Sequence, residues 1–96
     1  MSYLLSIIKV EDYEKWKAEF DTGEGNVFRK SGGMRSYQLF RTEDDSNTLA
    51  LLCEFDTLDA ARKFVQSDEL KEVSRQFGVI GESGSWIIDE IEKKTV

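Results

Sequence analysis

The stretch TLALLCEF, residues 48–55, is apolar on both sides of an extended chain. Side chains of a strand alternate between faces. Leu49, Leu51, Cys53 and Phe55 therefore fall on one side, and Ala50, Leu52 and Glu54 on the other. SWIIDEIEK, residues 85–93, poses the same problem: Trp86 and Ile88 share one side, Ile87 and Ile91 the other. A sheet built from such strands needs cover on both faces. Two helices can cover one. The other would leave an apolar patch larger than the roughly 300–600 Å² usual on a monomer. The simplest cover is a second copy, sheet face to sheet face, in a two-fold homodimer.

The rest of the chain supplies the helices. SYLLSIIKV, residues 2–10, reads as strand one. Asp12 can cap a helix whose apolar positions, Tyr13, Trp16 and Phe20, recur at helical spacing. TGEG at 22–25 interrupts it, because glycine weakens a helix; Val27 and Phe28 continue a short helical turn, closed by left-handed positions in SGG at 31–33. MRSYQLFR, residues 34–41, is strand two, and TEDDSN at 42–47 a polar turn into strand three. Asp56 or Thr57 caps the next helix, with Ala60, Ala61, Phe64 and Val65 as its buried stripe, and Ser67 caps a restart that carries Leu70, Val73 and Phe77. GVIGESGS at 78–85 reads as a loop before strand four. The order β-α-β-β-α-β within one domain, 1–96, predicts an α+β, ferredoxin-like sandwich: an antiparallel sheet with both helices on one face.

Composition removes whole classes of function. The net charge of −6 disfavours nucleic acid and anionic membranes, which need clustered Lys and Arg. No apolar run is long enough to span a bilayer. MSYLLSIIKV lacks the basic flank and cleavage site of a signal peptide, and Cys53 is the only cysteine; both fit the cytoplasm. There is no histidine, which removes Ser-His and Cys-His nucleophiles, imidazole metal sites and His-ligated haem. No metal and no cofactor is expected. The glycines at 78, 81 and 84 lack the spacing and the Gly-Lys-Ser/Thr of a phosphate loop, and GESGS is not a nucleophile elbow.

Along nearly its whole length the chain resembles the dimeric α/β-barrel superfamily, in particular its antibiotic biosynthesis monooxygenase-like (ABM) domains. VEDYEKWKAEF, GGMRSYQLFR, NTLALLCEFDTLDAARKF and SDELKE carry the resemblance through their order and spacing. It implies a homodimer with a pocket between helices and sheet in each protomer. It also implies a small aromatic or polyketide-like ligand, with either cofactor-independent oxygenation or a related isomerisation or cyclisation; the alternative is a dimeric binding or assembly module without catalysis. The haem-degrading branch looks like W-L-x-S-D-x-F-K-x-x-H along helix two. Here Ser67, Asp68 and Lys71 match, but Phe64 replaces the tryptophan and Ser74 the haem-ligating histidine. Strand one also lacks that branch's asparagine, so its haem chemistry is not expected. The alignment still implies that Phe64 and Ser74 line the pocket.

Four further positions are candidates for it. A symmetric turn at 42–47 would pair Tyr37 with Leu52 and Arg35 with Glu54. Glu54 and Arg35 then form either a buried acid–base group with an anion holder or a cross-strand ion pair that fixes register. Trp16 could stack on a flat substrate, as could Trp86, or be plain core. Tyr37 is either a proton donor or a half-buried tyrosine with a satisfied hydroxyl. Cys53, alternating with Leu51 and Phe55, reads as an inert buried thiol.

Overall fold

The computed structural model describes residues 2–96. Strand β1 (Ser2–Val10) is followed by helices α1 (Tyr13–Phe20) and α2 (Gly23–Ser31) and strands β2 (Met34–Arg41) and β3 (Thr48–Phe55). Helices α3 (Leu58–Gln66) and α4 (Asp68–Gln76) then lead into β4 (Val79–Asp89). The sheet is antiparallel in the order β2-β3-β1-β4, the ferredoxin-like arrangement. Each pattern that predicted a helix works through its cap. The Asp12 carboxylate accepts from the backbone N–H groups of Glu14 and Lys15, Thr57 Oγ1 from that of Ala60, and Ser67 Oγ from that of Leu70. Thr22 caps α2 in the same way through Gly25 N–H. The TGEG segment is therefore the start of a nine-residue helix. Gly33, at φ 91°, supplies the left-handed stop.

One face of the sheet is covered. Leu49, Leu51, Cys53 and Phe55 of β3 are buried there against Trp16, Phe20, Ala61 and Phe64. Trp16 stacks on Phe20 at 4.6 Å between ring centroids, and Phe64 tilts against both Phe28 and Phe55 at 5.4 Å. Gly32 is required at the α2–α3 contact, since a Cβ on it would lie 2.6 Å from the Phe64 ring. The other face is open. It presents rows running across the sheet, one of them Gln38, Leu52, Leu5 and Trp86. Trp86 is 49 % exposed and Phe40, one row away, 52 %.

Two sequence expectations need correction. GVIGESGS is not a loop: β4 begins at Val79, and the strand ends at Asp89, so Ile91 lies beyond it and is fully exposed. The glycines accommodate two bulges. Ile7 pairs with Gly84 and Ile8 with Glu82, leaving Ser83 extra; Lys9 pairs with Gly81 and Val10 with Val79, leaving Ile80 extra. The β2–β3 register is also one residue off the symmetric reading. Tyr37 pairs with Cys53, Gln38 with Leu52 and Ser36 with Glu54. A one-residue slip turns every side chain to the opposite face, so Tyr37 joins the covered side and Arg35 does not meet Glu54.

Asp45 causes that register. Its carboxylate accepts from Asn47 N at 2.9 Å, Thr48 Oγ1 at 2.7 Å and Lys9 Nζ at 3.2 Å, and its carbonyl accepts from Thr48 N. These donors, the Asn47 N–H foremost, hold its pKa down at about 2. A folded-state value below the unfolded one, about 3.9, means that Asp45 contributes its stability above about pH 4 and loses it as pH falls towards 2. A carboxyl-carbon NMR titration is expected to show the midpoint near 2. A midpoint near 4 would mean that the turn does not hold its donors on the carboxylate.

Candidate functional site

Between the helices and the covered face lies a cavity of about 390 Å³. Its floor is Leu4, Ser6 and Ile8 of β1 with Leu51 and Cys53 of β3; Trp16 and Phe20 close one end, and Phe64, Val73 and Ser74 form the wall towards α3 and α4. Apolar side chains dominate, and a few polar groups converge on it, the usual make-up of a small-molecule site.

Three of those polar groups are connected. Ser6 and Ser85 lie side by side on the β1–β4 pair, with their hydroxyl oxygens 2.9 Å apart. The Ser85 hydroxyl donates to Glu82 Oε1. Glu82 and Ser85 are three residues apart and would point to opposite faces of a regular strand. The bulge at Ser83 restores both to the cavity side, where Glu82 pairs with Ile8. Since Ser85 gives its proton to the carboxylate, Ser6 is the donor to Ser85, and the Ser6 oxygen is left to accept from a bound hydroxyl. Glu82 is exposed, at the cavity's edge.

A further polar group is Arg29, in the last turn of α2, 8 % exposed; Lys71, Ser74 and Arg75 of α4 also reach the lining. Its Nη2 donates to the Phe20 carbonyl at 2.9 Å, and its guanidinium lies 3.9 Å over the Phe20 ring and 5.3 Å from that of Tyr37. Burial lowers its pKa. Cys53 also lines the cavity, with burial pushing the thiol up to about 12, so at neutral pH it is not a thiolate nucleophile.

Of the positions singled out from sequence, Phe64, Ser74 and Trp16 stand in the cavity wall. Tyr37 and Arg35 line a second, outer hollow of about 570 Å³ between α2 and β2. There Tyr37 packs edge-on against Phe20 at 5.1 Å, and Arg35 pairs with Asp56 at 2.8 Å rather than with Glu54. Glu54 lies on the open face and accepts from the Tyr3 hydroxyl at 3.2 Å. Sequence reasoning missed Ser6, Glu82, Ser85 and Arg29. The first three depend on the β4 bulges, signalled only by glycines in a strand. The last sits in a polar helix, GNVFRKS, with nothing local to mark it as buried.

No family model matches the sequence, and no curated protein matches it. Solved structures do match the fold. SnoaB, a cofactor-independent oxygenase from Streptomyces nogalater, aligns with a TM-score of 0.75 at 12 % identity, over 96 % of this chain and 94 % of that one. A protein of Deinococcus radiodurans assigned to the antibiotic biosynthesis monooxygenases gives 0.68 at 10 % identity, over 100 % of this chain and 98 % of its own. One of Bordetella bronchiseptica, assigned likewise, gives 0.66 at 16 % identity, over 95 % and 97 %. The chain therefore has the ABM-like, ferredoxin-like fold, and at such identities the likeness is one of fold.

Proposed function

We propose that this ABM-like chain binds a small aromatic or polyketide-like molecule in the cavity and oxidises it without a cofactor. The observation that carries this reading is the hydroxyl chain Ser6–Ser85–Glu82 in the wall of an otherwise apolar cavity. A ligand hydroxyl donating to Ser6 can lose its proton along that chain to the Glu82 carboxylate. The resulting aromatic anion is electron-rich and gives one electron to dioxygen. The radical pair recombines to a peroxide at the reacting carbon, and loss of water leaves a carbonyl. For a CH2 carbon the balance is CH2 + O2 → C=O + H2O. The apolar walls keep water from the anion and its peroxide. SnoaB, of like fold, is a cofactor-independent oxygenase. The same proton-transfer groups would serve an isomerase or cyclase that needs no oxygen.

Oxygen uptake with an anthrone or a dihydroxyanthracene tests the reading. Saturable uptake is expected, and Glu82→Gln should lower kcat about 100-fold, since a side chain that cannot take the proton forfeits general-base catalysis. Binding should change little. Tight binding with no turnover, in oxygen or without it, would leave a ligand-binding module and end the oxygenase reading.

The open face belongs to the same proposal. Four strands about 4.8 Å apart and about eight residues long have a footprint of roughly 500 Å². Counted on both copies that is about 1,000 Å², the lower bound for a specific interface. A second copy, face to face, is the occupant we assign to it. Single-domain organisation over 1–96 and a cytoplasmic location fit the same picture.

A further inference from the structure

Arg29 is a buried cation without an acid. The chain carries 19 Asp and Glu residues, yet among the described residues none forms an ion pair with it. Asp21, the carboxylate that acts on it at longer range, is paired with Lys17. Its Nε–H is fully buried with no hydrogen-bond partner, and the Phe20 carbonyl takes Nη2 alone. A charge taken out of water is costly unless paired. Stacking on Phe20 offsets part of that cost but supplies no negative charge. Space is kept open beside the guanidinium: Gly25 lines the cavity, and a Cβ on it would come within 3.3 Å of Nη1 and 2.9 Å of the Phe20 carbonyl. Arg29 lines both the cavity and the outer hollow, whose rim adds Lys30, also free of ion pairs among the described residues. An acidic protein thus keeps a buried, unpaired cation at the junction of the cavity and the hollow.

We infer that Arg29 is the counter-ion of an acidic ligand, so that the cavity takes an aromatic molecule carrying a carboxylate. The planar guanidinium suits a carboxylate, through charge-assisted hydrogen bonds. The aromatic body then lies along Trp16 and Phe64, with its reacting end towards Ser6. This rests on the cavity being the ligand site proposed above, and it adds the charge that the ligand must bear.

The test is a fluorescence titration with anthracene-2-carboxylate and its neutral carboxamide. The wild-type chain should bind the carboxylate about tenfold or more tightly than the amide, the range expected of one charge-assisted contact. Arg29→Met should erase that preference by weakening the carboxylate about tenfold more than the amide, and Arg29→Lys should keep a preference of a few-fold. Thermal unfolding of each variant reports whether it folds, and the wild-type comparison needs no variant. Equal binding of both probes by the wild type, or a preference that survives Arg29→Met, overturns the inference but leaves the cavity as a ligand site. If neither probe binds, both fall.

Discussion

Phe64→Ala is expected to lower stability by about 3–5 kcal/mol, the usual cost of deleting a buried aromatic ring. The ring is 8 % exposed and stands where three elements meet: Phe28 of α2 on one side, Phe55 of β3 on the other, and Gly32 so close that no Cβ fits between. The Phe55 ring is fully buried and already packed, so it cannot move to refill the space. The void would join the cavity, so the site loses its wall along with its support. In a domain of this size each kcal/mol moves Tm by roughly 4–8 °C, so a fall on the order of 20 °C is expected. Urea unfolding should show a lower midpoint with the slope unchanged. Phe64→Leu, which refills most of the volume, should recover more than half of the loss. A loss under about 1 kcal/mol for the alanine variant would mean that this ring does not close the α2–α3 contact.

What could be read in the sequence follows from how local each signal is. A cap needs a side chain and a backbone N–H two or three residues on, so Asp12, Thr57 and Ser67 were legible alone. The alternation of β3 was legible too, because burial on one face recurs at every second residue; its pattern is iBiBiBiB. Register was not. It turned on whether TEDDSN closes symmetrically, and Asp45, by drawing Asn47 N–H and Thr48 onto itself, makes Thr42 N–H bond the Thr48 carbonyl and shifts the pairing by one. That shift separated Glu54 from Arg35 and moved Tyr37 across the sheet. The cavity wall at Phe64 and Ser74 came from resemblance, not from any local pattern. Arg29 could not be found either way, since its burial is decided by Phe20 of α1 and Tyr37 of β2, which only the packing of three separate elements brings to it.

Leu52→Asp is expected to turn a dimer into monomers, raising the dissociation constant about a thousandfold or more. Leu52 sits on the inner strand β3 in the row Gln38, Leu52, Leu5, Trp86, half-buried in the isolated chain and directly on the open face. If a second copy covers that face, each dimer buries two new carboxylates, and an unpaired buried charge costs several kcal/mol. At about 1.4 kcal/mol per decade, that exceeds three decades. The isolated protomer should tolerate the change better, because the introduced carboxylate keeps water on its exposed side. Sedimentation velocity at micromolar concentration should show the wild type at twice the protomer mass and the variant at once, both with the same far-UV circular dichroism. Leu52→Asn separates polarity from charge and should weaken the dimer less. The introduced acid also has a calculable sign with pH. Association favours its neutral form, so burial raises its pKa and the dimer should return as pH falls through the acidic range. A wild type that sediments as a monomer, or a variant that stays dimeric at neutral pH, would mean that a second copy does not cover this face, and that the apolar row through Leu5, Leu52 and Trp86 meets some other surface.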